Sequence, residues 1–152
     1  MTIVNGDNYK LQWVDKPSEK LPKGENAGRK RLLLEHYTAD YAIQVGDTVL
    51  GPKIPASSIV TGAFVKINKS LGATGIFNLG YLANGVDAAD TDAFITGADA
   101  GGQAVWALPA AGQAGILKRF TKETQLVLIA TEVMDGAVLD GVIEFGVEYV
   151  ND

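Results

Sequence analysis

The chain contains a single histidine, His36, and no cysteine, which removes most of the usual chemistry at once. A Ser-His-Asp relay would have to run through His36, which lies inside a strand-like run, and no serine sits in a G-x-S-x-G turn. A zinc centre needs three or four nitrogen or sulfur ligands, and one imidazole cannot supply them. Without thiols there is no disulfide framework and no cysteine nucleophile. His36 therefore reads as a strand histidine facing solvent or a partner.

The carboxylates are more numerous but poorly spaced for work. Asp87, Asp90 and Asp92, followed by Asp99, give a D-x-x-D-x-D run that lacks the order, central glycine and terminal glutamate of a calcium loop. It reads first as a solvated, turn-forming acidic loop and only second as a site for an oxygen-ligated cation. Glu144 and Glu148 stand four residues apart on one face of a strand, about 13 Å by strand rise, too far for a pair of glycosidase carboxylates. They read as a charged outer face that resists edge-to-edge aggregation. The glycines between 97 and 102 are followed by no Lys-Ser/Thr and open no helix, so they cradle no phosphate. Tyr81 and Trp106 could stack on a sugar, but fit better as a cap on the core or a subunit contact. With no base–nucleophile pair to assemble, the chain is expected to be no enzyme and to need no cofactor.

Charge and hydropathy divide the chain in two. Residues 1–31 carry a net charge of +3 and residues 32–152 a net charge of −8, giving −5 overall. In the first part the apolar residues are isolated among polar ones and two prolines, with neither helical nor strand period. Such a segment cannot offset its ordering entropy by internal packing. It is expected to be an extended arm that orders on a partner. Tyr9, Leu11, Trp13, Val14 and Leu21 would be its anchors, and Lys10, Lys16, Lys20, Lys23, Arg29, Lys30 and Arg31 its cationic contacts. The acidic body disfavours nucleic acid. No run approaches the ~18 apolar residues of a membrane-spanning helix. The first residues lack the cationic lead and apolar core of a secretion signal, which predicts a soluble protein made in the cytoplasm.

The remainder, 32–152, punctuates short apolar runs with turn residues and predicts about eight strands. These are 32–38 with an extension over 41–45, 48–50, 59–68, 76–82, 105–108, 116–120, 125–131 and 142–150. In the third, Ile59, Thr61, Ala63, Val65 and Ile67 share a face; in the last, Ile143, Phe145, Val147 and Tyr149 oppose Glu144 and Glu148. The segment 84–102 predicts a long excursion with one helical turn at Asp90–Ile95. No amphipathic helices alternate with the strands, so the expected architecture is all-β: a two-sheet antiparallel sandwich of jelly-roll type with an N-terminal arm.

The run Ile54-Pro55-Ala56-Ser57-Ser58-Ile59 through Ile67, then Gly75 to Tyr81, the Asp87–Ile95 segment, and the closing pair Leu126–Thr131 and Gly141–Tyr149 together resemble a known group. They are similar to the small β-sandwich virion proteins that decorate or cement the capsids of tailed bacteriophages. The likeness covers roughly residues 48–150 and leaves the arm unmatched. It implies a structural role on the capsid exterior, the major capsid protein as partner, and a dimer or trimer on the shell. A host-facing fibre module or a carbohydrate-binding sandwich is the alternative. The symmetry of the oligomer and its contact surfaces are not legible in the sequence.

Overall fold

The computed structural model describes residues 2–4, 30–39, 43–70, 75–101, 105–132 and 141–151. Ten strands and no helix occur among them: β1 Thr2–Val4, β2 Lys30–Thr38, β3 Thr48–Ile54, β4 Ser58–Lys69, β5 Ile76–Tyr81, β6 Asp90–Asp99, β7 Val105–Ala107, β8 Arg119–Phe120, β9 Thr124–Glu132 and β10 Val142–Asn151. They form a six-stranded sheet ordered β1-β2-β10-β4-β7, with β8 also on β4, and a four-stranded sheet ordered β3-β9-β5-β6.

All pairings are antiparallel. If β7 and β8 are taken as two pieces of one edge strand on β4 and the short β1 is set aside, each sheet has four strands, placed in the jelly-roll order. The expected sandwich is the observed one. All eight expected strands have counterparts, and β1 and β6 are the two that were missed. The expected extension over 41–45 is not strand at 43–45, while 41 and 42 lie outside the described residues.

Alternation along the strands explains why the sheets face each other. On β10, Ile143, Phe145, Val147 and Tyr149 are buried, while Glu144 and Glu148 point outward. On β9, Leu126, Leu128 and Ala130 enter the same core. Phe77 and Leu79 of β5, Phe94 of β6 and Phe120 of β8 complete it, all essentially inaccessible to water. The sheets approach closely: a Cβ on Gly51 of β3 would lie 2.8 Å from Cε2 of Phe145 on β10.

Several local expectations are corrected. β3 runs through Gly51-Pro52 rather than stopping there, because a register shift between Leu50 and Lys53 opposite β9 accommodates the proline. Asp90–Ile95 is not a helical turn but the first part of β6. There Gly80 lets the two backbones meet, since a Cβ at that position would collide with the Asp90 carbonyl oxygen. The run 116–120 is mostly turn, with strand only at Arg119–Phe120.

The most consequential correction concerns β4. Val147 faces Ala63, Glu148 faces Gly62 and Tyr149 faces Val60, so Thr61 is an extra residue, a β-bulge. The bulge turns the strand over. Val60 rather than Ile59 or Thr61 joins Ala63, Val65 and Ile67 in the core.

Candidate functional site

The outward face of the larger sheet gathers charge and apolar surface in distinct rows. His36, Glu144 and Lys66 lie side by side across β2, β10 and β4. Glu144 receives Lys66 Nζ at 3.5 Å and His36 Nδ1 at 3.8 Å. A hydrogen bond from the Asn68 side chain, aided by Lys66 and His36, outweighs partial burial and holds the Glu144 carboxyl below its ordinary range. His36 is thus an exposed cross-strand partner, as expected. Four residues further along β10, Lys30 Nζ pairs with Glu148 Oε2 at 3.1 Å.

Next to Glu148 a groove of about 910 Å³ opens between β4 and the connection from β7 to β8. Its floor is Thr61–Phe64 and its far wall is Leu108–Gln113 with Ile116 and Leu117. The wall is a chain of tight turns fastened at both sides. Gly115 N donates to Ala93 O at 2.8 Å, Leu117 N to Val60 O at 2.7 Å, and Val60 N to Lys118 O at 3.2 Å. These bonds hold Leu117 at φ 65°, a left-handed conformation costly for a bulky side chain. They also leave its side chain in water: Leu117 is 72% exposed and Leu108 66%.

A second polar cluster lies where the sheets meet at the β5–β6 connection. Asp87 accepts from Lys118 Nζ at 2.9 Å and from Asn84 Nδ2 at 3.1 Å. Asn84 Nδ2 also donates to Thr124 Oγ1 at 2.7 Å. The Lys118 ammonium stands 5.7 Å from the Tyr81 ring centre and 5.6 Å from that of Phe120. Burial raises the Tyr81 phenol, partly countered by Lys118.

This geometry decides several sequence candidates. Of the weak cation loop, Asp87 is committed to Lys118 and Asn84, while Asp90 and Asp92 lie on β6. Among the described residues no three carboxylate or histidine side chains converge on a metal position. Tyr81 is buried against Phe94 and Phe120, so it caps the core and offers no sugar platform.

Of the arm candidates, Tyr9, Lys10, Leu11, Trp13, Val14, Lys16, Lys20, Leu21, Lys23 and Arg29 lie outside the described residues. Lys30 and Arg31 belong to β2, which starts two positions earlier than the expected start of the body at residue 32. The opening residues are not part of a free arm either, because Thr2, Ile3 and Val4 pair with Leu34, Leu33 and Leu32. Three consecutive residues of good strand propensity suffice for this short edge strand.

The groove was not legible in advance. Its floor depends on the bulge at Thr61, and its wall on turns that interrupt two expected strands.

No protein-family model matches the chain, and no curated protein does. Solved structures do share its fold. A chain from the capsid of Ralstonia phage GP4 superposes with a TM-score of 0.68 at 15% identity, over 88% of this chain and 92% of that one. A chain from the capsid asymmetric unit of cyanophage Pam1 gives 0.62 at 17% identity, over 91% and 96%. One from the acid-stable capsid of Helicobacter pylori bacteriophage KHP30 gives 0.55 at 11%, over 82% and 89%. In each case more than four fifths of both chains is matched, so each neighbouring chain is of about this length.

Proposed function

We propose that the protein is a virion structural component that decorates the outside of a phage capsid and cements it, binding the major capsid protein and bridging neighbouring subunits. The observation that carries this is the end-to-end match of the jelly roll to similarly small chains in three phage capsids. On the sandwich itself, His36, Lys66 and Glu144 pair across strands, and Lys118 pairs with Asp87.

The segment 5–29 would supply aromatic and cationic contacts to an adjacent subunit. Several copies around a symmetry axis would add avidity to contacts that are individually weak. The carbohydrate-binding alternative loses one of its two candidate stacking rings with the burial of Tyr81.

Co-sedimentation of the full chain with shells stripped of it tests the proposal. Saturable binding that raises the temperature at which shells fall apart is expected. Binding to host-surface glycans without binding to shells would overturn it.

A further inference from the structure

We propose that the groove between β4 and the 108–117 turns receives an extended, largely apolar segment of the shell protein that carries one basic residue; this rests on the capsid-binding reading above. Shape points to an extended chain. β8 pairs with Ser58 and Ile59 and β7 with Val65, Lys66 and Ile67, so neither covers Thr61, Gly62 or Ala63, which form the floor. A gap between two short edge strands is where an incoming strand can add to a sheet.

Polarity points the same way. The Thr61 hydroxyl, at the bulge in that floor, is buried with no hydrogen-bond partner, so the floor itself presents an apolar surface to the groove. The walls are largely apolar; Leu117 is held outward by the backbone bonds around it, and Leu108 is likewise exposed.

Charge selects the occupant's polar group. Glu148 is the one ionised residue of the lining. Its carboxylate folds over Gly62, where an added Cβ would come within 3.2 Å of Oε2. Lys30 engages that same oxygen from the β2 side. Residues 32–152 carry a net charge of −8, or −6 with Lys30 and Arg31 of β2 included, so a cation is drawn to this rim and a carboxylate repelled from it.

The test uses the full chain and stripped shells. Leu117→Asp and Leu108→Asp place an anion in the groove beside Glu148. Leu50→Asp and Val86→Asp do the same at exposed apolar positions elsewhere, so that folding and net charge are controlled together. The groove variants are expected to raise the apparent Kd for shells by about tenfold or more, and the two controls to change it by less than about threefold. Glu148→Lys is expected to fall with the groove variants.

If the wild type binds and the groove variants bind equally well, the groove is not the contact, although the capsid reading stands. If the wild type does not bind, the capsid reading fails and this proposal with it. Sedimentation of the free proteins adds a further arm. A wild-type dimer lost in Leu117→Asp would make the occupant a second copy, and a change in wild-type monomer compactness on that substitution would make it a segment of the same chain. Either result would overturn assignment to the shell protein.

Discussion

Lys118, one residue before β8, reaches across to Asp87 in the β5–β6 connection, Nζ to Oδ1 at 2.9 Å, and so ties an edge of the larger sheet to the smaller one. Both side chains are largely shielded, at 28% and 18% exposure, and the ammonium lies over two core rings. The groove wall ends at this same lysine, which couples the outer groove to the core.

That pair sets the response to acid. The hydrogen bond from Lys118 is the main reason the Asp87 carboxyl lies below its ordinary range. A carboxyl whose folded pKa is depressed adds stability that is present above its unfolded pKa, near 4, and lost as pH falls through the folded value. Asp87→Asn is therefore expected to cost about 1 kcal/mol at pH 7. The deficit relative to wild type should shrink as pH falls from the unfolded pKa through the lower folded one, and vanish once Asp87 is protonated in the folded state. Urea melts across that range check both statements.

Asp90 is expected to behave with the opposite sign. Burial first, and then the neighbouring Asp92 carboxyl, push its pKa up. Its contribution is fully present below the unfolded pKa and lost as pH rises through the folded one. Asp90→Asn should therefore raise the urea midpoint at pH 7 and leave it unchanged near pH 3. A lower midpoint at pH 7 would show that the Asp90 charge is needed by its neighbours.

Gly146 on β10 has no room for a side chain, because a Cβ would collide with the carbonyl oxygen of Leu33 on β2. Backbone atoms in a paired strand cannot move aside as a flexible side chain can. Gly146→Ala is expected to destabilise by about 3 kcal/mol or to prevent folding. A cost below about 1 kcal/mol in a denaturant melt would mean that β2 and β10 are paired less tightly than this register requires.

Chelation should leave the protein alone. The oxygens of Asp87 are engaged by Lys118 and Asn84, and the described residues hold no cluster able to take a cation. Addition of EDTA is expected to shift Tm by less than about 2 °C, since removing a ligand from the native state would lower it.

The architecture was largely legible before the structure, and the surface was not. Alternation on β10 and the apolar run on β9 specify buried strands from residue type alone, because period-two burial leaves few alternatives. β6 escaped because Asp, Ala and Gly dominate it, and these have low strand propensity. It becomes a strand by pairing with β5 across the close approach that Gly80 permits. β1 escaped because three residues carry too little pattern to stand out ahead of the aperiodic stretch that follows. The reversal of face at Thr61 could not be foreseen, since a bulge is set by the partner strand and not by the strand that carries it. The groove inherits that difficulty, and Leu117 looked like one more strand residue.

A reconstruction by electron microscopy of stripped shells with and without the full chain tests the central claim most directly. The expected result is added density of jelly-roll shape on the outer surface, each copy touching at least two shell subunits, with the groove between β4 and residues 108–117 turned toward one of them. Density within the shell wall, at the tail or on a fibre, or no added density at saturating protein, would contradict it.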